Sequence, residues 1–338
     1  MDRIDSPETL HLVARGRLTR DDQRRGPYVY VPFEVPFACA RIAVRYHYSD
    51  RISADRHEGG NVIDLGLFDP RGADFPGATG FRGWSGSRRQ SFWIGLDTAT
   101  PGYLPGRLPA GRYQVILGLY QIWEHGADYV VEFDALPGAE QVEPAAPQAA
   151  LEQQGAAETA ETGFWLRCDL QSHTEHSDAW GTLDELAARA HAAGLDVLAV
   201  TDHNTTSHHR AIRAYDGPLL LVAGQEATTY HGHMNIWGDV GWCDFRCSTP
   251  EQIAAVIGLA HQRGALCSIN HPKVGGPAWE YPSSLPVDAL EVWQGPWPHR
   301  NTESLALWDS LLQAGRRLPG VGGSDYHCPA AGDEAPFL

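Results

Sequence analysis

Val197-Leu-Ala-Val-Thr-Asp202-His203-Asn204 decides how the second half of this chain is read. The run Val197–Val200 has the composition of a strand buried on both faces. It ends in two adjacent ionisable residues, Asp202 and His203. The same arrangement recurs along the chain. Trp165–Leu170 runs into Gln171-Ser-His173-Thr-Glu-His176-Ser-Asp178, and Leu219–Ala223 into Gly224-Gln-Glu226. Gly232-His233-Met-Asn235 sits at the next apolar stretch, Met234–Gly238. Leu266–Ile269 runs into Asn270-His271-Pro272, and Gly320–Gly322 into Gly323-Ser-Asp325-Tyr-His327. One such cluster says little. A series of them, set against apolar runs, is how an α/β barrel builds a site, because barrel chemistry is drawn from the C-terminal ends of several strands.

Helices are expected between these strands. Thr182 and Glu185 form a capping box for a helix over 182–193, stopped by Gly194. A polar helix is expected near His208–Tyr215. Thr249, Pro250 and Gln252 open another that ends at Gly264, with Ile253, Val256, Ile257 and Ala260 on one face. Further on, Ala289–Trp293 reads as a strand and Asn301–Ala314 as a helix. A barrel should continue past the last cluster with at least one more strand and helix. The chain, ending at Leu338, therefore reads as truncated or as a fragment.

The first half is different. Leu10–Ala14, Tyr28–Phe33, Ala40–Tyr48, Asn61–Phe68, Ser91–Gly95, Gly111–Gln121 and Asp128–Phe133 are short alternating or apolar runs punctuated by Gly, Pro and Asp. That pattern predicts an all-β sandwich over 1–136 with no helix. Residues 137–162 are rich in Ala, Glu, Gln and Pro and read as a linker, with room for a short helix within Ala149–Glu161. The α/β barrel then occupies 163–338.

Composition bounds the partners. The 338 residues carry a formal net charge of −16, which disfavours nucleic acid and anionic membrane and leaves a small-molecule substrate. There is no secretory h-region at the N-terminus and no apolar run near the ~20 residues of a membrane helix, so the expected location is cytoplasmic. The six cysteines are scattered, which does not suit a disulfide scaffold. Cys243 and Cys247 lack a second pair at zinc-ribbon spacing. Cys168 and Cys267 are expected in the core. The oligomeric state is open.

Imidazoles and carboxylates that converge on open coordination positions suit a hydrolytic metal site. Gln171 and His173, two apart on extended chain, point the same way. Asp325 and His327 repeat that spacing. His203 is a ligand candidate. Its neighbour Asp202 is either a ligand or an orienting carboxylate. Glu226 would be costly to bury unless paired or metal-bound, and is the natural bridging carboxylate. Of His231 and His233 only one need be a ligand. Asp178 and His271 complete the set. Lys273, Arg300 or His231 could bind a phosphate oxygen. His176 and Asn235 could touch substrate. Trp279, Trp293 and Trp297 line an apolar leaving-group pocket or pack in the core. Asp202, His231 and Lys273 are the catalytic candidates.

In this order these residues resemble the polymerase and histidinol phosphatase (PHP) superfamily, over Trp165 to His327. The carbaryl-hydrolase-like subgroup looks closest. The stretches Asp64–Pro70, Gly80–Gly86 and Ala99–Gly106 look like that subgroup's β-rich N-terminal segment. The resemblance implies a distorted (β/α)7 barrel with two or three divalent ions (Zn, Mn or Fe). It implies that His173, Glu226 and Asp325 hold one ion, with Gln171 standing where the superfamily usually has histidine. Glu226 would bridge to a second ion held by His233 and His271. Asp178, His203 and His327 would hold a third.

The expected function is hydrolysis by a metal-activated water, with a phosphoester as substrate. The alternatives are a carbamate, ester or amide hydrolase, and a catalytically weakened module that binds ligand or partner. Gln171 is the feature that favours the last. The sandwich is expected to serve as a lid or packing partner. Gly80–Gly86 and Trp123 offer a second reading, a carbohydrate-type surface.

Overall fold

The computed structural model describes residues 8–52, 59–138, 165–274 and 278–327. Beyond Gly138 the expected linker lies outside them, as do His57, Cys328 and everything after it.

Alternation along the strands builds the N-terminal half. In β3 (Cys39–Tyr48), Ile42, Val44 and Tyr46 are buried while Arg41, Arg45 and His47 face solvent. The other strands are β1 (Leu10–Leu18), β2 (Tyr28–Val35), β4 (Val62–Phe68), β5 (Phe81–Gly86), β6 (Ser91–Gly95), β7 (Gly111–Gln121) and β8 (Ala127–Pro137). They form two antiparallel four-stranded sheets, ordered β1-β8-β3-β6 and β2-β7-β4-β5. The sheets share one core, with Ile42, Val44 and Tyr46 meeting Ile63, Leu65 and Leu67.

Two expectations fail here. A short helix, α1 (Arg20–Arg25), follows Thr19, which forms a capping box with Asp22. It buries no side chain, so it has no apolar period to betray it. The stretch around Phe81 is a strand that turns inward. Phe81 and Trp84 are buried against the second half of the chain, so it is no carbohydrate-type surface.

That half holds seven strands in one sheet. They are β9 (Cys168–Asp169), β10 (Val197–Val200), β11 (Leu220–Thr229), β12 (Gly232–Trp237), β13 (Leu266–Ile269), β14 (Ala289–Gln294) and β15 (Gly320–Gly323), joined in chain order. The helices are α2 (Leu183–Ala192), α3 (His209–Ala214), α4 (Pro250–Gln262) and α5 (Asn301–Gln313). The outer strands meet just past their ends. Ser172 bridges Tyr326, and the Asp325 amide donates to the Gln171 carbonyl at 3.0 Å. The sheet is therefore barrel-like and nearly closed within the described residues, without the further strand expected from the sequence.

It is not a regular (β/α)7 repeat. β12 runs antiparallel to both β11 and β13. Only Tyr230 and His231 separate it from β11, too short a link for a parallel crossover. Gly232 closes this hairpin at φ +131°, where a Cβ would also press on Trp279. Among the described residues no helix joins β13 to β14. Two further expectations shift. The first strand is only two residues long, and Cys168 is exposed on it, whereas Cys267 is buried. Cys243 and Cys247 are buried apolar packing within the shared core.

The two halves share a core in which Phe68, Phe81 and Trp84 pack with Trp242, Phe245 and Met234. No helix among the described residues is long and apolar enough to cross a membrane.

Candidate metal centre

Glu226 is the hub. It is fully buried inside the β11 strand, and both its oxygens are approached by imidazoles. His203 Nδ1 lies 3.1 Å and His173 Nε2 3.4 Å from Oε2. His233 Nδ1 lies 3.1 Å and His271 Nε2 3.2 Å from Oε1. His233 lies in β12, and His173, His203 and His271 lie just beyond β9, β10 and β13. The parallel strands offer their C-terminal ends. The reversed β12 offers its N-terminal end to the same mouth, which is why His233 is its second residue.

The cluster extends to one side. His173 Nε2 is 2.8 Å from Asp325 Oδ1, and His327 Nε2 is 3.2 Å from Asp178 Oδ1. His203 Nε2 is 3.6 Å from that same Asp178 oxygen. His173 stacks between His203 and His327, at centroid distances of 4.2 and 4.3 Å. Three groups of potential ligand atoms result: His173, Asp178, His203 and His327; His203, Glu226 and His233; and His173, Glu226 and Asp325.

The local backbone is bent to present these groups. His271 has φ +28° and Asp325 φ +53°, conformations that L-residues seldom adopt. Strain of this kind is held in place at sites where geometry matters more than stability. Asn204, at φ +58°, exchanges two hydrogen bonds with the Thr228 backbone and so locks the residue after His203 to β11.

Burial alone would raise Glu226, yet His203 and His233 hold its carboxyl well below the usual range. Burial likewise opposes ionisation of Asp178, but His203 and His327 keep it charged. His203 is itself raised to about 10 by Asp178 and Glu226 against the pull of burial. His327 is raised to about 9, also against burial, by Asp178 and Asp325.

The donor set fits divalent ions. His173 Nδ1, His233 Nε2 and Gln171 Oε1 are buried and make no hydrogen bond. Buried polar atoms left without partners are rare and call for an explanation such as an ion. Nitrogen and oxygen donors with no thiolate suit Zn, Mn or Fe.

The remaining candidates divide. Gln171 is fully buried, and its Nε2 donates to Asp325 Oδ1 at 3.3 Å. Lys273 and Arg300 line a cavity of about 410 Å³ together with His203, His233, His271, Asp325 and His327. Lys273 Nζ donates to Asn301 Oδ1 at 3.0 Å. Asn235 is buried beside Asn270, with its own Oδ1 unpartnered.

Asp202 turns away from the cluster. Its carboxylate accepts from Thr174 N, Thr174 Oγ1 and Ser177 Oγ and lies 3.1 Å from His208 Nδ1. It thereby fixes the loop after β9. His176 faces the same side, 2.7 Å from Ser207 Oγ. His231 sits at the β11–β12 turn, 2.7 Å from Glu280. Trp293 is 43% exposed and tilts against Trp297, while Trp279 packs on the shared core.

Three neighbours of the site were given no role by the sequence, although Asn270 lies in the Asn270-His271-Pro272 cluster. Asn270 Nδ2 donates to Glu226 Oε1 at 3.0 Å, and Gln294 Nε2 to Asp325 Oδ2 at 2.6 Å. Buried Glu291 accepts from the His271 amide at 2.8 Å. Asn270 directly follows β13 and Gln294 ends β14, while Glu291 lies within β14. The strand-end rule that found His271 applies equally to Gln294.

A second cavity, of about 510 Å³, opens from His203, His233 and Asp178. Its other wall is the sandwich, through Asp64, Trp84, Arg88 and Tyr120.

No protein-family model matches the chain, and no curated protein matches it. Among solved structures it is similar to a two-domain protein from Bacteroides vulgatus ATCC 8482 containing a predicted PHP-like metal-dependent phosphoesterase. The identity is 22% and the TM-score 0.34, over 48% of this chain and 52% of that one. The chain thus spans about half the length of that protein. An amidohydrolase from Chromobacterium violaceum matches at 18% identity and TM-score 0.35, over 48% of this chain and 88% of that one. A proposed metal-dependent phosphoesterase from Bifidobacterium adolescentis ATCC 15703 matches at 18% and 0.35, over 51% and 91%. Likenesses this distant carry no argument about activity, which lives in sites and not in folds.

Proposed function

We propose that this chain is a divalent-metal-dependent hydrolase acting on a phosphoester. The observation that carries the reading is Glu226, a buried carboxylate with imidazoles on both oxygens, which would hold divalent ions together with them. His173, Asp325 and Gln171 would hold one ion beside it, His233 and His271 a second, and Asp178, His203 and His327 a third. Bound ions supply Lewis acidity and an acidified water.

The chain's own groups do the rest. Gln294 and Gln171 hold the Asp325 carboxylate by its two oxygens. Asn270 fixes Glu226, and Thr228 Oγ1, 2.6 Å from His203 Nδ1, sets that ring. Lys273 brings positive charge to the cavity that the ligands line, which favours a phosphoryl substrate over a neutral one, while Arg300 on the same cavity is ion-paired with Glu303. Tyr120 and Tyr230 in the other cavity suit an aromatic group and support a second reading, hydrolysis of an aryl carbamate, ester or amide.

Elemental analysis of protein purified without chelators tests the centre. Two or three equivalents of Zn, Mn or Fe per chain support it. A value near zero that persists after metal addition overturns it. Parallel assays on p-nitrophenyl phosphate and an aryl carbamate then decide the substrate class.

A further inference from the structure

Arg88 is the sandwich arginine that lines the cavity shared with Asp178, His203 and His233. Arg17, Arg24, Arg25, Arg45, Arg82 and Arg112 each pair with a carboxylate. No carboxylate pairs with Arg88 among the described residues. Its guanidinium instead lies over the Trp180 ring, 3.8 Å from the centroid. Stacking of this kind engages the flat face and leaves the edge, with its fork of N–H donors, free for a ligand.

The position is built. Arg88 lies in the turn after β5, where its amide donates to the Ser85 carbonyl at 3.1 Å. The next residue, Arg89, donates to the Glu175 carbonyl at 2.7 Å. Trp180 in turn donates its backbone N–H to the His327 carbonyl at 3.2 Å. The sandwich turn is thus tied to the loop that carries His173 and Asp178, and Arg88 lines the 510 Å³ cavity shared with His203 and His233.

Two carboxylates share that cavity. Asp178 faces His203 and His327. Asp64 accepts from the Tyr230 hydroxyl at 2.7 Å. Arg88 is the arginine that faces them across this cavity, beside the rings of Tyr120 and Tyr230.

We propose that Arg88 is a specificity residue that binds an oxyanion, carboxylate or phosphate, which the substrate carries on an aromatic or apolar body beyond its scissile bond. The substrate then spans both halves of the protein, and the sandwich selects acidic substrates for the barrel. This rests on the hydrolase reading for its meaning, but its test does not need turnover.

Calorimetric titration of the metal-loaded full chain would compare 4-phenylbutanoate and 3-phenylpropylphosphonate with the neutral 4-phenylbutanamide. The wild type should prefer the acids. Arg88→Ala should weaken acid binding roughly tenfold to a hundredfold, the value of a charge-assisted contact, and leave the amide unchanged. Arg88→Lys should fall between, because it keeps the charge and loses the fork. No acid preference in the wild type overturns the proposal. So does a preference that survives Arg88→Ala but vanishes on chelation, which would assign the anion to the metals. Unchanged thermal melting of Arg88→Ala separates lost recognition from a collapsed turn.

Discussion

Phe81 of the sandwich and Trp242 of the barrel half lie face to face, with ring centroids 3.9 Å apart and planes 9° from parallel. Both are nearly buried, at 4% and 9% exposure. The two halves of the chain are therefore joined by core packing, which hydrogen bonds such as Tyr230 to Asp64 and Arg89 to the Glu175 carbonyl supplement.

Removing either ring should cost what a core aromatic costs. Phe81→Ala is expected to destabilise by about 3–5 kcal/mol. Urea unfolding followed by fluorescence should show one transition in the wild type. Separation into two transitions in the variant would mark this stack as the coupling element. An unchanged midpoint would contradict the packing described.

Glu226→Gln keeps the shape of the hub and removes its charge. Metal content should fall below one equivalent, and hydrolysis should drop at least ~100-fold, the upper range for loss of an outer ligand partner. Far-UV circular dichroism should be unchanged. Wild-type metal content in this variant would remove Glu226 from the ligand set.

Gln171→His replaces a neutral amide by a better ligand at a position 0% exposed beside Asp325. Competition with a chelator should show affinity at one ion raised by about tenfold or more. An unchanged affinity would mean that Gln171 is a spectator that only holds Asp325.

Metal uptake should release protons. In the metal-free chain His203 titrates at about 10 and His327 at about 9, both raised by facing carboxylates despite burial. At pH 7 each must shed a proton before it can ligate. Affinity should therefore climb with pH up to about 9–10. Calorimetry in buffers of different ionisation enthalpy would count the protons, and a count of zero would exclude both residues as ligands. The same raised values mean that the ion pairs stabilise the metal-free fold fully below the ordinary histidine pKa of 6.5 and cease to do so as pH rises through 9–10.

Asp64 behaves in the opposite sense. Burial raises it from 3.8 to about 6. The folded chain holds this proton more tightly than the unfolded one, so stability falls as pH rises from about 4 to about 6 and is then level. Asp64→Asn still accepts from Tyr230 and escapes that loss. Its melting temperature relative to wild type should rise across this window, by an amount worth up to about 3 kcal/mol. A constant difference would mean that Asp64 is not perturbed.

Strand positions were legible wherever burial writes itself into composition. Ser91–Gly95, Gly111–Gln121 and Leu266–Ile269 are the same in sequence and structure, because a strand with a buried face must alternate or run apolar. Capping boxes at Thr182 and Thr249 also mark real helix starts, since they satisfy local backbone donors. What a residue owes to its own neighbours in the chain could be read directly.

The rest was decided at a distance. Nothing local distinguishes Asp202, which braces Thr174, Ser177 and His208, from His203 beside it, which faces Glu226. Adjacent side chains leave the backbone in different directions, and only the packing of β9, β10 and β11 settles which one enters the barrel mouth. The reversal of β12, the meeting of β9 with β15, and Arg88 over Trp180 are likewise contacts between residues far apart in sequence. The sequence alone determined which chemistry was available, a set of imidazoles and carboxylates at strand ends. The tertiary structure decided which of them share a space, because a buried charge takes its meaning from whatever the fold places within a few ångströms of it.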